Sequence, residues 1–357
     1  MVALRYSIML LCIVLPIIYS FKVGITEKRT KLFMLTTFIL MTFSLVMTIT
    51  PPIAGNFSDS RRLSKLESFK NVEVLFKVKN IDLATNTLSA IPEAAFQFSE
   101  NEYLAKNQIT VNVSQNIDLN TLNYEDIVVG KIYYDNELNT YEMTELVSVN
   151  PLITYPFIEA LKHRIKNLNL HVPLHWTSFI AYLVSLLFSI KYLRKGDYQH
   201  DVVASSAIRI GLIFTVLGTV TGMIWAKFNW GAYWNWDPRQ TTILVIMLIY
   251  FAYFGLRNSI DSKEKKAKLS AVYSIISFIS VPVLMFIIPR LLPSLHPGGD
   301  NDGTTGPVIS TQADMVDSSL AFVFYLSIAA FILLYFWLLS LDSRGRIFEN
   351  KIRGNNV

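Results

Sequence analysis

The chain has 357 residues, of which 52% are hydrophobic and 17% are charged, and its formal net charge is +5. This composition excludes an ordinary soluble globular protein. The single cysteine, Cys12, lies in an apolar run and excludes both an internal disulfide and a cluster of thiolate metal ligands.

About seven apolar runs approach the length of about 20 residues that a membrane-spanning helix needs. In chain order they cover residues 3–20, 31–50, 176–193, 206–225, 241–257, 269–289 and 318–341. The first run also fits a signal peptide, because Arg5 precedes an apolar stretch, but no small-residue cleavage site follows it. We therefore favour a retained helix, so that residues 1–50 form two membrane helices and residues 151–357 form a membrane domain with five more.

A separate unit is predicted between the second and third runs. Apolar residues alternate with polar ones after Val72, Ile109 and Asp126, which is typical of β-strands. About five strands in residues 51–150 predict a small β-barrel of the OB type. Residues 71–150 carry twelve Asp and Glu against four Lys and no Arg, a net charge of −8. This acidic balance argues against nucleic-acid binding, which needs a basic groove.

The positive charge of the chain lies in short segments beside the apolar runs. Lys and Arg are concentrated in residues 21–31, 191–201 and 257–268 and in the tail after Leu341. The positive-inside rule places these four segments in the cytoplasm. Seven spans then alternate consistently and leave residues 51–175, 226–240 and 290–317 on the outer face. The sequence thus predicts an all-α polytopic membrane protein with an inserted extracytoplasmic barrel.

The second outward segment, residues 226–240, contains most of the stretch NWGAYWNWDPRQT. This stretch begins at Asn229 and holds three of the chain's six tryptophans. Aromatic rings at a membrane surface are commonly anchors, but this cluster has more rings than anchoring needs. Its members are Trp225, Trp230, Tyr233, Trp234 and Trp236. Asp237 follows the cluster and is a candidate to orient an indole N–H or a histidine N–H.

Two histidines, His171 in LHVPLHW and His296 in SLHPGGD, are 125 residues apart, but the predicted topology puts both on the outer face. Imidazole is a good axial ligand for haem iron, and tryptophan rings suit the flat, apolar macrocycle. Arg239 or Arg290 is a candidate to pair with an anionic propionate. His175 lies one helical turn after His171 and is either a second ligand or a hydrogen-bond partner of it.

The stretch WGAYWNWDPRQT resembles the WWD motif of the haem-handling proteins of cytochrome c biogenesis. LHVPLHW and SLHPGGD are similar to the cytochrome c maturation protein C branch of that family, which loads haem onto a periplasmic chaperone. The resemblance covers roughly residues 163–341. It implies that His171 and His296 are the two axial ligands of haem b, with residues 230–239 as the platform at the haem edge. This sequence lacks the tryptophans that the family usually carries just before its second histidine.

The resemblance implies a haem-delivery protein, or haem lyase, in the bacterial inner membrane with its site on the periplasmic face. The implied partners are an OB-fold haem chaperone, other membrane proteins of cytochrome c maturation and, as a further candidate, an ABC transporter. The insert is faintly similar to that chaperone, but residues 71–150 contain no histidine, so it cannot carry haem covalently in that way. Two alternatives remain open: a CcsA-related synthetase that joins haem directly to apocytochrome c, and a haem-free transporter subunit whose tryptophans are anchors.

Overall fold

The computed structural model describes residues 2–92, 108–157, 162–296 and 318–352. The chain divides into two compact units. The first consists of Met1–Thr48, Lys166–Val316 and Ala321–Val357, and the second of Ile49–Ile165 and Asp317–Leu320. Residues 297–300, the end of the motif SLHPGGD, lie outside the described residues.

The described residues contain nine α-helices. They are α1 (Val2–Val23), α2 (Lys31–Ile49), α3 (Phe57–Ser64), α4 (Leu168–Lys195), α5 (Tyr198–Trp230), α6 (Pro238–Asn258), α7 (Lys263–Pro282), α8 (Ile288–Leu291) and α9 (Ser318–Ile352). A 3₁₀ turn, Lys162–Asn167, precedes α4, and a π-helical turn, Val283–Ile287, joins α7 to α8. All of these except α3 come from the segments that the sequence predicts to be membrane helices or their flanks.

Six helical segments of the described chain are long and apolar enough to cross a membrane, so the chain is a polytopic membrane protein. They are α2, α4 with its 3₁₀ turn, α5, α6, the run from α7 to α8, and α9. The sequence predicts about seven spans, and the first predicted run does form α1. Its apolar part, Ser7–Val23, is shorter than the other six, so a seventh span stays a prediction.

The connection between α5 and α6 is fixed at both ends by residues with local conformational preferences. Gly231 has a φ of +83°, a left-handed conformation that glycine adopts without strain, and it ends α5. Pro238 is the first residue of α6, where its missing N–H is not needed. Asp237 is the N-cap, because its side chain accepts a hydrogen bond from the Arg239 amide. The seven residues from 231 to 237 therefore form a short connection with defined ends.

The membrane helices are joined by buried polar side chains, which need protein partners where lipid offers none. Tyr182 of α4 stacks on Tyr250 of α6 with ring centroids 3.7 Å apart, and its hydroxyl is 2.7 Å from that of Thr215 in α5. Further along, Arg257 of α6 donates two hydrogen bonds to Asp201 of α5, at 2.8 Å and 2.5 Å. These contacts fix α5 against α4 and α6 well away from the tryptophan-rich connection.

The second unit contains a closed five-stranded barrel, as the alternation pattern predicts. The described strands are β1 (Ile53–Ala54), β2 (Val72–Asp82), β3 (Thr87–Pro92), β4 (Ile109–Val113), β5 (Ile127–Asp135), β6 (Thr140–Val149) and β7 (Tyr155–Pro156). The barrel order is β2-β3-β4-β6-β5, and β5 pairs again with β2. β4 and β6 are parallel, and the other barrel pairs are antiparallel. β1 and β7 form a separate two-stranded parallel sheet.

Side chains fill the barrel interior. Phe76, Ile132 and Met143 are completely buried there. A Cβ added to Gly130 of β5 would lie 2.5 Å from the Met143 sulfur, so this methionine occupies the space beside the glycine. The interior is therefore packed with protein and leaves no room for a macrocycle among these side chains.

Candidate functional site

The tryptophan-rich connection between α5 and α6 is held by its own hydrogen bonds. The side-chain amide of Asn235 donates to the Ala232 carbonyl at 3.0 Å, and its backbone amide donates to Oε1 of Gln240 at 2.9 Å. Trp236 has a φ of +54°, which is unusual for a bulky residue, and its side chain is 71% exposed. A strained backbone that presents an exposed ring is typical of a functional position.

The four tryptophans of the cluster form two edge-to-face pairs. Trp225 and Trp230 have ring centroids 5.0 Å apart, and Trp234 and Trp236 have centroids 5.7 Å apart. The first pair contacts one of the candidate ligands. The His296 ring stacks on Trp225 at 5.7 Å and meets Trp230 edge to face at 4.7 Å. Two indoles therefore hold the plane of the His296 imidazole.

Asp237 joins the tryptophan-rich connection to the segment that carries His296. Its Oδ1 accepts from the Arg239 amide at 2.9 Å and lies 2.9 Å from His296 Nδ1. Its Oδ2 accepts from the Ser294 hydroxyl and from the Leu295 amide, each at 2.8 Å. The carboxylate is completely buried, so these four partners account for its stability away from water.

The protonation states of this pair follow from its surroundings. Burial raises the pKa of Asp237, but the hydrogen bond and charge of His296, together with Ser294 and the Leu295 amide, hold that pKa well below its usual value. Burial lowers the pKa of His296, and the hydrogen bond to Asp237 opposes this only in part. At neutral pH we therefore expect a carboxylate beside a neutral imidazole that donates Nδ1–H to it. Nε2 of His296 then keeps a free lone pair.

His171 lies in the first turn of α4 and faces α5. Its Nδ1 is 2.9 Å from the Gly218 carbonyl oxygen and 3.3 Å from the Thr221 hydroxyl. Because a carbonyl only accepts hydrogen bonds, Nδ1 carries the proton and Nε2 is free. The ring lies over Gly222, where an added Cβ would be 2.6 Å from Cε1. α5 thus gives this imidazole both its acceptor and its space.

The two candidate ligands are prepared in the same way. In each ring a protein acceptor holds Nδ1 and Nε2 is left free, which is the usual arrangement of metal-binding histidines. His171 and His296 lie within electrostatic range of one another, and Arg239 lies within range of both. The helical unit therefore gathers, at one end of α4, α5 and α6, the imidazoles and the first tryptophan pair that the sequence singles out.

His175 lies one turn deeper on α4. Its ring meets that of His171 edge to face, with centroids 4.8 Å apart. It lies over Gly218, where an added Cβ would be 2.8 Å from both Cε1 and Nε2. Its Nδ1 is buried and has no hydrogen-bond partner among the described residues. The structure therefore packs His175 against His171 and leaves one of its nitrogens unused.

The remaining predicted residues lie around this centre. The Nε atom of Arg239 is buried and has no partner among the described residues, and Arg290 lies within electrostatic range of it. Arg290 itself donates to the Phe286 carbonyl in the π-helical turn. Tyr233 is exposed, and the Lys227 ammonium lies 5.7 Å from its ring centroid. Of these three side chains, Arg239 lies within electrostatic range of both imidazoles.

Several residues that shape the site are not distinguished by the sequence. They are Ser294, Gly218, Thr221 and Gly222. The spacing of Gly218 and Gly222 was a signal that the sequence did offer. The two glycines are four residues apart, as are the two histidines of α4, and small residues at this spacing let membrane helices approach closely. For Ser294 no comparable pattern exists, because its partner Asp237 is 57 residues away.

These features define a polytopic membrane protein with two oriented imidazoles beside a tryptophan-rich connection. A model of the family described as Heme exporter protein C matches residues 152–357, more than half of the chain. The chain belongs to this family of cytochrome c biogenesis. The match begins after β6, so the barrel strands β2 to β6 lie outside it.

Curated relatives carry this name or are named as another protein of cytochrome c biogenesis. Heme exporter protein C of Bradyrhizobium diazoefficiens is 28% identical over 189 residues, which are 53% of this chain and 69% of that protein. Its counterpart in Paracoccus denitrificans is 25% identical over 188 residues, 53% of this chain and 75% of that protein. The Cytochrome c biogenesis protein CcsA of Fagopyrum esculentum subsp. ancestrale is 31% identical over 119 residues, 33% of this chain and 36% of that protein.

Proposed function

We propose that the chain binds haem between His171 and His296 at the outer, periplasmic face of the inner membrane. It then delivers this haem during the maturation of c-type cytochromes. The observation that carries this proposal is the common orientation of the two rings, each with Nδ1 on a protein acceptor and Nε2 free. Two imidazoles suit the two axial positions of haem iron. The only cysteine, Cys12, lies in α1, so the cargo is held without a thioether bond, as haem b is.

The side chains around the two ligands fit the rest of such a cargo. Trp225 and Trp230 offer apolar ring surfaces beside His296, and Trp234 and Trp236 extend the platform outward. Propionates are anionic, and Arg239 and Arg290 are two guanidiniums within electrostatic range of each other. The Nε atom of Arg239 has no hydrogen-bond partner among the described residues, and we expect it to donate a hydrogen bond to a propionate.

The role of the chain in the reaction is positioning. Bond formation with cytochrome thiols belongs to haem and to its acceptor, and the chain supplies iron ligation, orientation and exclusion of water. We propose an OB-fold haem chaperone as the acceptor, with other membrane proteins of cytochrome c maturation and an ABC transporter as partners. Any haem lyase activity then arises because the chain positions haem against the chaperone that accepts it.

We propose seven spans in a bacterial inner membrane, with α1 retained, the N-terminus outside and the C-terminus in the cytoplasm. Residues 1–50 supply two spans and residues 151–357 supply the haem-handling membrane domain. Residues 51–150 form a periplasmic domain. The Lys- and Arg-rich segments 191–201 and 257–268 support this topology, because they join the ends of α4, α5, α6 and α7 that are remote from the tryptophans.

Labelling of single cysteines should report this topology. In a Cys12→Ser background, Leu138→Cys places a thiol at an exposed barrel turn, and Lys265→Cys places one in the exposed start of α7. A membrane-impermeant maleimide added to intact spheroplasts should label the first variant and not the second. Permeabilised cells should show both labelled. Labelling of Lys265→Cys alone in intact spheroplasts would invert the topology and remove His171 and His296 from the outer face.

We propose that the barrel is of the OB type and acts as a docking or structural domain rather than a haem carrier. Its closed five-strand order and its parallel closing pair support the fold. Two observations argue against a carrier: residues 71–150 contain no histidine, and Phe76, Ile132 and Met143 fill the interior. An OB-fold chaperone is the partner that we expect it to meet.

Purification separates this proposal from its two alternatives. A co-purified haem with a bis-imidazole, low-spin spectrum supports haem handling, and a colourless protein with normal stability supports a haem-free transporter subunit. A direct synthetase is the second alternative. Capture of a tagged OB-fold chaperone, and not of apocytochrome c, by the purified protein supports delivery. The reverse capture would support the synthetase.

A further inference from the structure

α4 and α5 contact each other through two histidines and two glycines that have the same spacing. His171 and His175 are four residues apart on α4, and Gly218 and Gly222 are four apart on α5. Residues at this spacing lie on one face of a helix. The His171 ring lies over Gly222, and the His175 ring lies over Gly218. Two successive gaps on α5 thus receive two successive imidazoles of α4.

The gap at Gly222 admits no side chain while His171 keeps its place. A Cβ on Gly222 would lie 2.6 Å from Cε1, 3.1 Å from Nδ1 and 3.5 Å from Nε2 of that ring. The imidazole is a rigid ring, so it can move aside only as a whole, by rotation about the two side-chain torsions of His171. The whole ring would have to leave α5, and the 2.9 Å contact of Nδ1 with the Gly218 carbonyl would be lost. That contact is the one that leaves Nε2 as the free nitrogen.

We propose that Gly222 is a positioning residue for the haem ligand: the absence of its side chain lets His171 lie against α5 with Nε2 available to iron. This inference rests on the proposed function for its consequence, but the fit between ring and glycine stands without haem. Gly255 of α6 is the matched control, since an added Cβ there meets nothing within 4 Å. Both glycines lie inside membrane helices, and both gain helix propensity when replaced by alanine.

The first test uses haem-free protein in detergent and measures thermal unfolding. Gly222→Ala should lower Tm, because the new methyl group displaces the His171 ring. In a His171→Ala background the same change should leave Tm unchanged or raise it, because no ring is present to be displaced. Gly255→Ala should leave Tm unchanged or raise it in both backgrounds. A loss of Tm that disappears in the His171→Ala background is the result that a general destabilising effect of alanine in α5 would not give.

The second test measures the iron spectrum of haem-loaded protein. Gly222→Ala should reduce the low-spin fraction in the presence of His171 and should add nothing to the loss caused by His171→Ala. Gly255→Ala should keep the wild-type spectrum. If the single variant does not accumulate, the Gly222→Ala/His171→Ala double variant should still accumulate as well as His171→Ala does.

These outcomes separate the inference from the proposed function. If His171→Ala does not change the haem spectrum, the proposed function fails, and the Tm comparison still tests the packing. If His171→Ala does change the spectrum but Gly222→Ala keeps the wild-type spectrum and Tm, the inference is wrong. A Tm loss of the same size in both backgrounds would also overturn it, because Gly222 would then act on something other than the His171 ring.

Discussion

Purified His171→Ala and His296→Ala proteins should each lose the low-spin haem spectrum, and each should stop cytochrome c maturation. In the proposed site each imidazole would supply one axial bond to the iron, so its removal would open a coordination position. Even partners that only orient a metal ligand are worth about 10- to 100-fold in affinity or activity, so loss of a ligand should cost at least that much. Added imidazole should partly restore the low-spin spectrum by filling the open position.

His200→Ala is the matched control for these two variants. His200 is also partly buried in the first turn of a helix, α5, and contacts an aromatic ring, Phe188, at 5.7 Å. It lies at the start of α5, whereas the tryptophans lie at its end, so its loss should leave the spectrum unchanged. A silent His296→Ala combined with a spectrum lost in His175→Ala would contradict the proposed pair. The ligands would then both lie on α4.

Asp237→Ala should leave the protein inserted in the membrane but weaken haem retention by about 10- to 100-fold, the usual effect of losing the partner that orients a metal ligand. The carboxylate holds His296, Ser294 and the Leu295 amide, so all three lose their acceptor together. The α6 N-cap is lost as well, at a cost of about 1 kcal/mol. Haem titration of the purified variant measures the affinity, and circular dichroism checks the helix content.

Asp197→Ala separates capping from ligand orientation. Asp197 caps α5 as Asp237 caps α6, by accepting from the amide two residues on at 2.9 Å. It contacts no candidate ligand, so it should lose a cap without losing haem affinity. Equal affinity losses in the two variants would mean that Asp237 acts only through the stability of its helix. Asp237→Asn should fall between wild type and Asp237→Ala, since an amide oxygen still accepts from Nδ1 of His296 but carries no charge.

The membrane architecture was predictable because long apolar runs have few other uses. The predicted run 31–50 became α2, Lys31–Ile49, almost residue for residue. Helix ends were less accurate: the predicted run 206–225 became α5, Tyr198–Trp230. Hydropathy marks the part of a helix that lies in lipid, whereas capping residues mark where its hydrogen bonds begin and end. Asp197 and Gly231, which bound α5, were therefore the better signals.

The candidate site was predictable in composition but not in its contacts. The aromatic cluster and the two histidines stand out in the sequence, and topology alone was enough to expect them on one face. The partner of Asp237 was left open between an indole and a histidine, because sequence gives no distance between residues 59 positions apart. In the structure the partner of Asp237 is the Nδ1 atom of His296. The fit of His171 against Gly222 depends on the rotation of two helices about their axes, which hydropathy does not determine.

The most direct test of the account is the electron paramagnetic resonance spectrum of ferric haem in the purified wild-type protein. Two neutral imidazoles, from His171 and His296, predict a low-spin, six-coordinate iron that disappears in either alanine variant. A wild-type protein that binds no haem, or that gives a high-spin iron unchanged by both variants, would contradict the account.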